Sequence, residues 1–193
     1  MDTIKQSLLD ARACVDSVLN DESMLSTIDR CSALVAHAFL DNKKVIICGN
    51  GGSACDAMHF SEEFTGRFKK DRKALPVISL TDPSFLTCVA NDYGYDHVFQ
   101  RGVEAYGQSD DVFIGISTSG NSKNVLNAFI AAKELGLKTV SFLGKDGGVI
   151  KGFADYEFSV SSPDTERIQE VHMLLLHIMI EQVERRLFPD LYR

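Results

Sequence analysis

The chain opens with two amphipathic helical patterns. Apolar residues recur every three or four positions over residues 3–19 and again over residues 24–39, which is the spacing of one face of an α-helix. A polar break at Asn20 and Asp21 separates the two patterns, and either Asp21 or Ser23 has a side chain suited to cap the second helix. The sequence therefore predicts a pair of helices at the start of the chain.

After Asn42 the pattern changes to short, nearly continuous apolar runs, each followed by Gly, Ser or Thr. Parallel strands that are buried on both faces have this appearance. The predicted strands are residues 45–48, 77–80, 112–116, 139–143 and 156–160. Helical patterns lie between them, at residues 56–64, 98–106 and 125–135. This alternation predicts a doubly wound α/β fold, a three-layer α/β/α sandwich around a five-stranded parallel sheet.

The last helical pattern, residues 165–187, is apolar on nearly every side. Such a helix must be buried on most faces. We expect another subunit to cover part of it, with the two N-terminal helices completing an oligomer interface. No repeat or long linker divides the chain, so residues 1–193 are expected to form one domain: a helical pair (1–40), a sheet core (41–162) and a C-terminal helix (163–193).

Composition narrows the classes of function. With 45% hydrophobic and 24% charged residues, the 193-residue chain is typical of a globular domain. A formal net charge of −7, without a long basic run, disfavours nucleic-acid binding. The sequence has neither a signal-peptide pattern nor an apolar stretch of membrane-spanning length, so we expect a cytoplasmic protein without membrane contact. Its five scattered cysteines are expected to be reduced core residues.

Two predicted strands end in loops rich in glycine and hydroxyl groups, and a helical pattern follows each loop. The loops are Gly49-Asn50-Gly51-Gly52-Ser53 and Ser117-Thr118-Ser119-Gly120-Asn121-Ser122. Backbone N–H groups and hydroxyls at a helix N-terminus bind anions, although one such loop alone is more often a cap and tight turn. Two of them favour a phosphate monoester on a small polar ligand, because neither has the pattern of a nucleotide-binding motif.

Histidines and a glutamate supply candidate chemistry. His59 and Glu63 lie four positions apart in a helical pattern, so their side chains share one face. Such a pair can hold a divalent metal, can act as a base beside an imidazole, or can form a plain surface hydrogen bond. His172 and His177 lie in the apolar C-terminal pattern, where an imidazole needs a hydrogen-bond partner or a function. These residues alone leave each possibility open.

The second loop resembles the phosphosugar loop of the SIS (sugar isomerase) domain family. The first loop and the segments HFSEEFTGR (59–67), NDYG (91–94) and RIQEVH (167–172) are similar to those of phosphoheptose isomerases. The resemblance covers nearly the whole chain and implies a homotetrameric aldose–ketose isomerase. The implied reaction converts sedoheptulose 7-phosphate to D-glycero-D-manno-heptose 7-phosphate through an enediol, in ADP- or GDP-heptose synthesis for lipopolysaccharide or capsule.

The same resemblance implies the residues of the site. It assigns Glu63 as the catalytic base and His177 as the acid. It implies one Zn²⁺ per subunit, held by His59, Glu63, Gln169 and His177. The implied substrate-binding residues are Asn50, Gly51, Gly52, Ser53, Glu63, Asn91, Asp92, Ser117, Thr118, Ser119, Ser122 and Gln169. Gln169 and His177 lie about 12 Å apart along an ideal helix. Both can bind the same ion only if their side chains lean toward each other or if ligands from two subunits converge. His172 stays an alternative ligand to His177.

Three further points stay open at this level. Glu166 stands where the family often has Asp, and we assign it no catalytic role. Arg67 is either a phosphate contact or part of a solvated basic turn with Lys69 and Lys70. The alternative function is a non-catalytic SIS adaptor that associates with the bacterial replication initiator protein, because such adaptors share both loops.

Overall fold

The computed structural model describes all 193 residues and contains seven α-helices and five β-strands. The helices are α1 (Asp2–Leu19), α2 (Glu22–Leu40), α3 (Gly52–Thr65), α4 (Pro83–Tyr93), α5 (Val98–Tyr106), α6 (Lys123–Glu134) and α7 (Thr165–Leu187). The strands are β1 (Val45–Gly49), β2 (Val77–Ser79), β3 (Val112–Ser117), β4 (Lys138–Gly144) and β5 (Tyr156–Val160). Short 3₁₀ helices lie at Tyr95–His97, Gly148–Ile150 and Pro189–Tyr192.

The five strands form one parallel sheet in the order β2-β1-β3-β4-β5. The chain leaves β1 toward one edge of the sheet and returns to build the other side from β3, so the order reverses between β1 and β3. These two strands pair from Val45 with Val112 to Gly49 with Ile116. Ligands of open α/β sheets bind at the carboxyl ends of strands at such a reversal.

Alternate residues of the strands face two different helical layers. Val45 and Ile47 belong to a core shared with α1, α2, α3 and α7, whereas Ile46 and Cys48 belong to a core shared with α4, α5 and α6. Every residue of β1 and β3 is buried, as expected for strands covered on both sides. The predicted three-layer α/β/α sandwich is confirmed.

Aspartate caps begin two of the helices. Oδ1 of Asp21 accepts hydrogen bonds from the backbone N–H groups of Ser23 and Met24, at 3.0 and 3.1 Å, so Asp21 is the cap of α2. Helix α4, which the apolar pattern did not predict, begins in the same way: Oδ1 of Asp82 accepts from the Phe85 N–H at 2.8 Å, and Pro83 is the first helical residue. The Asp-Pro pair is the sequence signal that identifies α4.

Most apolar residues of α7 pack against α1, α2, α3 and the sheet of the same chain, but Leu174 is 38% exposed and Met173 and Ile178 are half-buried. Coverage of part of α7 by another subunit therefore stays a prediction. On α1, by contrast, Ile4, Leu8 and Leu19 are 63%, 68% and 63% exposed. The uncovered apolar row therefore lies on α1.

The prediction that all five cysteines are core residues holds for three of them. Cys14, Cys31 and Cys48 are buried, but Cys55 and Cys88 are exposed, so a core position is wrong for the last two. Both lie on the outward faces of their helices. None of the helices combines the length and the apolarity needed to cross a bilayer.

Candidate functional site

The two glycine- and hydroxyl-rich loops lie side by side at the carboxyl edge of the sheet. The side-chain amides of Asn50 and Asn124 donate hydrogen bonds to each other between the loops, both at 2.9 Å. The Tyr95 hydroxyl also donates to Oδ1 of Asn50, at 2.8 Å. The Asn50 side chain therefore joins the first loop to the first turn of α6 and to the segment after α4, while its backbone oxygen accepts a hydrogen bond from the Ser53 N–H at 3.0 Å. Neither Asn124 nor Tyr95 was among the predicted site residues.

Both loops end at helix N-termini that lack a side-chain cap. Helix α3 follows Gly51 and helix α6 follows Ser122, and neither N-cap side chain bonds to the first turn of its helix. The Ser117 and Ser122 hydroxyls lie 3.0 Å apart and line the second loop. Helices α1, α5 and α7 also lack a side-chain cap, so the feature that favours an anion at these two ends is the glycine- and hydroxyl-rich loop that precedes each of them.

Helix α7 brings Gln169 against the first loop. A Cβ atom at Gly52 would lie 2.5 Å from the side-chain nitrogen of Gln169, so a larger residue at position 52 would displace the Gln169 amide. Gln169 is half-buried there. A residue implied as both substrate and metal ligand thus lies beside the first anion loop, although the two are far apart in sequence.

His59, Glu63 and His177 form a cluster of donor atoms. Nε2 of His59 lies 3.2 Å from Oε1 of Glu63, one helical turn away on α3. The His177 ring, on α7, meets the His59 ring edge to face, with centroids 4.9 Å apart. One donor atom from each of the three residues lies within 4.8 Å of the other two. The cluster forms within one chain, so these three ligands do not require a second subunit.

Partial burial and neighbouring charge change the protonation of two groups near this cluster. Desolvation, followed by repulsion from His59, lowers the pKa of His177. Asp56, on α3 one turn before His59, has a side-chain oxygen that is buried without a hydrogen-bond partner. Desolvation raises the pKa of Asp56 to about 6, against the opposing attraction of His59. Asp56 was not among the predicted site residues, although its position three residues before His59 places both on one helix face.

The three side chains fit a divalent metal such as Zn²⁺. Two imidazoles and a carboxylate are a donor set of zinc enzymes that keep an open fourth position. Donor atoms bound to a tetrahedral zinc lie about 3.3 Å apart, and the His59–Glu63 separation is 3.2 Å. The lowered pKa of His177 favours the neutral imidazole that binds metals. Completion of the donor set by Gln169 stays a prediction.

His172 is separate from this cluster, so its reading as the alternative ligand is not supported. Its side chain is fully buried, and its Nε2 lies 3.0 Å from the backbone oxygen of Leu143, a distance at which the ring N–H donates. Its Nδ1 has no hydrogen-bond partner. Burial lowers the pKa of His172 to about 4, so the ring is neutral at pH 7. His172 is a core residue that ties α7 to β4.

Acid is expected to destabilise the fold through His172. Its folded pKa of about 4 lies below the unfolded value of 6.5, so its stabilising contribution is complete above pH 6.5 and is lost as pH falls toward 4. Linkage gives a loss of about 2 kcal/mol between pH 7.5 and pH 5. Urea unfolding of wild type and His172→Gln at both pH values measures the free energy of unfolding. An equal loss of this free energy between pH 7.5 and pH 5 in the two proteins would contradict the role of His172.

The remaining predicted residues lie at the edge of the site. Asn91 and Asp92 are exposed at the end of α4 and bond to each other at 2.7 Å, without a hydrogen bond to either loop. Arg67 is exposed and has no hydrogen bond or ion pair, so the phosphate contact and the solvated basic turn both stay predictions. Glu166 is exposed in the first turn of α7, where a negative charge favours the helix.

Asn124→Ala is expected to weaken sugar-phosphate binding. Loss of the Asn50–Asn124 pair releases the two loops from each other, and a small displacement of binding groups costs about tenfold or more. Calorimetry with a heptose 7-phosphate measures the dissociation constant. Asn127→Ala is the matched control on the same helix, because Asn127 bonds only to the Asp96 backbone. Equal affinity of Asn124→Ala and wild type would contradict the role of this contact.

Comparison with known families and sequences finds similarity along nearly the whole chain. The model of the SIS domain matches residues 10–144. The phosphoheptose isomerase of Fusobacterium nucleatum subsp. nucleatum is 58% identical over 174 residues, which are 90% of this chain and 90% of that protein. The phosphoheptose isomerase of Vibrio cholerae is 47% identical over 187 residues, which are 96% of this chain and 98% of that protein.

Solved structures show the same similarity in the fold. A phosphoheptose isomerase from Francisella tularensis superposes with a TM-score of 0.91 at 30% identity, over 95% of this chain and 97% of that chain. The phosphoheptose isomerase from Neisseria gonorrhoeae superposes with a TM-score of 0.86 at 36% identity and the same coverage. Sequence and fold therefore point to the same group of proteins.

Proposed function

Because the chain belongs to the phosphoheptose isomerases of the SIS domain family, we propose that it converts sedoheptulose 7-phosphate to D-glycero-D-manno-heptose 7-phosphate. One observation carries the assignment of the site. The two loops meet at the strand-order reversal, and α3, which begins in the first loop, carries His59 and Glu63 of the donor cluster about 10 to 16 Å farther along its axis.

In the proposed binding mode, the phosphate of the substrate contacts the two loops. The backbone N–H groups around Gly51 and Gly52 and the hydroxyls of Ser53, Ser117, Thr118, Ser119 and Ser122 are its donors. Uncapped helix N-termini can bind a phosphate dianion even where no lysine or arginine is nearby. The positive ends of the helix dipoles and the free N–H groups both face the anion. Gln169, against Gly52, is placed to contact the sugar near the phosphate end.

In the proposed reaction, Glu63 removes a proton from C1 of the ketose while the carbonyl oxygen at C2 receives a proton from His177. The product of this step is a 1,2-enediol. Return of a proton to C2 and loss of the proton on the C1 oxygen give the aldose, so no atom is gained or lost. Oε1 of Glu63 faces His59, and its Oε2 makes no hydrogen bond, which leaves that oxygen to act as the base.

We further propose that Zn²⁺ binds at this cluster. His59, Glu63 and His177 would hold it. Gln169, which packs against Gly52 about 12 Å from His177 along the axis of α7, would be the fourth ligand if its side chain leans toward the cluster or a second subunit supplies it. When bound, the ion supplies Lewis-acid polarisation of the carbonyl and stabilises negative charge on oxygen. The assignment rests on the donor set and its spacing.

The proposed assembly is a homotetramer, supported by the exposed apolar row on α1. A row of leucine and isoleucine on a surface helix is typical of an interface between subunits. Light scattering should give about four times the 21.3 kDa of one chain, and a monomer mass would contradict the proposal. The cytoplasmic location stays a prediction from the sequence.

The function is tested by incubating the purified protein with sedoheptulose 7-phosphate and following aldose formation by NMR. Turnover is expected. The relatives do not favour the adaptor alternative, since those with high identity are named as isomerases. Absence of turnover, together with binding of the replication initiator protein at micromolar concentration, would decide for the adaptor instead.

A further inference from the structure

The segment after α3 lies along α7 and fastens the two helices together. We call residues 66–73 the strap. The Phe68 ring stacks on the His177 ring, with centroids 5.8 Å apart, and Lys69 forms an ion pair with Glu181 at 2.5 Å. Further along, Arg72 forms an ion pair with Glu184 at 2.8 Å. The α7 partners are spaced four and three residues apart, so they lie on one helix face.

Arg72 is the buried end of the strap, and it binds the C-terminal turn of α3. Its side chain is 1% exposed. Its guanidinium donates to the backbone oxygens of Glu63, Phe64 and Gly66 at 2.6, 2.7 and 3.0 Å. Terminal helix carbonyls lack intrahelical partners and lie at the negative end of the helix dipole. A buried cation therefore holds the main chain of Glu63 itself.

The same guanidinium is fixed to α7. Glu184 is fully buried, and its Oε1 accepts the hydrogen bond from Nε of Arg72. Its Oε2 accepts a hydrogen bond from the Tyr192 hydroxyl at 2.5 Å. Both oxygens of Glu184 are satisfied, so the pair is a fully bonded network. Glu184 lies two turns after His177 on α7.

We propose that Arg72 is a positioning residue for the isomerisation. By binding the main chain of Glu63 and the carboxylate of Glu184 together, it sets the distance between the helices that carry Glu63 and His177. The inference rests on the roles proposed above for those two residues. Lysine does not replace Arg72, because only the planar fork of a guanidinium reaches the carbonyls and the carboxylate at once.

The test compares kcat, KM and Tm of wild type with Arg72→Lys, Arg72→Met and the double variant Arg72→Met/Glu184→Met. The control is Lys44→Met, which breaks the Lys44–Asp111 pair, also largely buried, at the start of β1 and β3 and without contact to α3 or α7. We expect Arg72→Lys to lower kcat by about tenfold or more, with a smaller change in KM. Lys44→Met should lower Tm without this loss of kcat.

The double variant separates positioning from stability. It removes both buried charges, so it should recover Tm relative to Arg72→Met, while kcat stays low because the end of α3 is still not held. Wild-type kcat in folded Arg72→Lys or in the double variant would overturn the inference. The same assay includes wild type and Glu63→Gln. Absence of wild-type turnover would overturn the proposed function itself, which is a distinguishable result.

Discussion

Glu63→Gln should lower kcat for sedoheptulose 7-phosphate by about 10³-fold or more, because general-base catalysis contributes about 10²–10⁴-fold and the amide is not a base. The substitution keeps the size of the side chain. Only 16% of the Glu63 side chain is exposed, so few alternative bases reach the same position. NMR of the purified variant measures residual aldose formation, and Tm together with phosphate affinity should stay close to the wild-type values.

Glu62→Gln is the matched control for this result. Glu62 is the neighbouring glutamate on α3, but its side chain is 64% exposed and its oxygen lies 3.7 Å from His59. It is expected to retain most of the wild-type rate. Turnover by Glu63→Gln within tenfold of wild type would contradict the assignment of Glu63 as the base, whatever the behaviour of Glu62→Gln.

Chelation of divalent metal should lower kcat by about 10²-fold or more, and added Zn²⁺ should restore it, because electrostatic stabilisation of an oxyanion is worth about that factor. The protein is dialysed against a chelator, freed of it and assayed with and without Zn²⁺. Metal content is measured in parallel. Zinc affinity should fall sharply in His177→Ala, which loses one of the three clustered donors.

His37→Ala is the control for the metal experiment, since His37 is an exposed histidine of α2 outside the cluster. It should bind Zn²⁺ as wild type does. The experiment also separates the two roles proposed for His177. Full activity after complete removal of metal would contradict the zinc proposal and leave His177 as an acid only.

Local signals explain why much of the fold could be predicted. A buried parallel strand has a nearly continuous apolar run, and β1 and β3, which have such runs, are buried at every residue. Glycine and hydroxyl groups directly after a strand mark an anion loop without reference to the rest of the chain. Helix α4 was missed because its apolar stripe is short and its clearest signal is the cap at Asp82 and Pro83.

Contacts between distant residues could not be predicted in this way. The link from Asn50 to Asn124 and Tyr95 joins three segments, and the hydrogen bonds of Arg72 to α3 join a charged turn to a helix end. Nothing in the residues near Arg72 indicates burial, and the sequence predicted for this segment only a phosphate contact by Arg67 or a solvated basic turn with Lys69 and Lys70. Such contacts depend on how helices lie on the sheet.

By itself, the sequence determined the layers, the parallel sheet, the two anion loops and the pairing of His59 with Glu63, because each depends on residues close together in the chain. Only the tertiary structure decided which histidine of α7 meets that pair. His172 and His177 are five residues apart and so point about 140° apart around the helix. The packing of α7 on α3 and the sheet turns His177 toward Glu63 and buries His172 against β4.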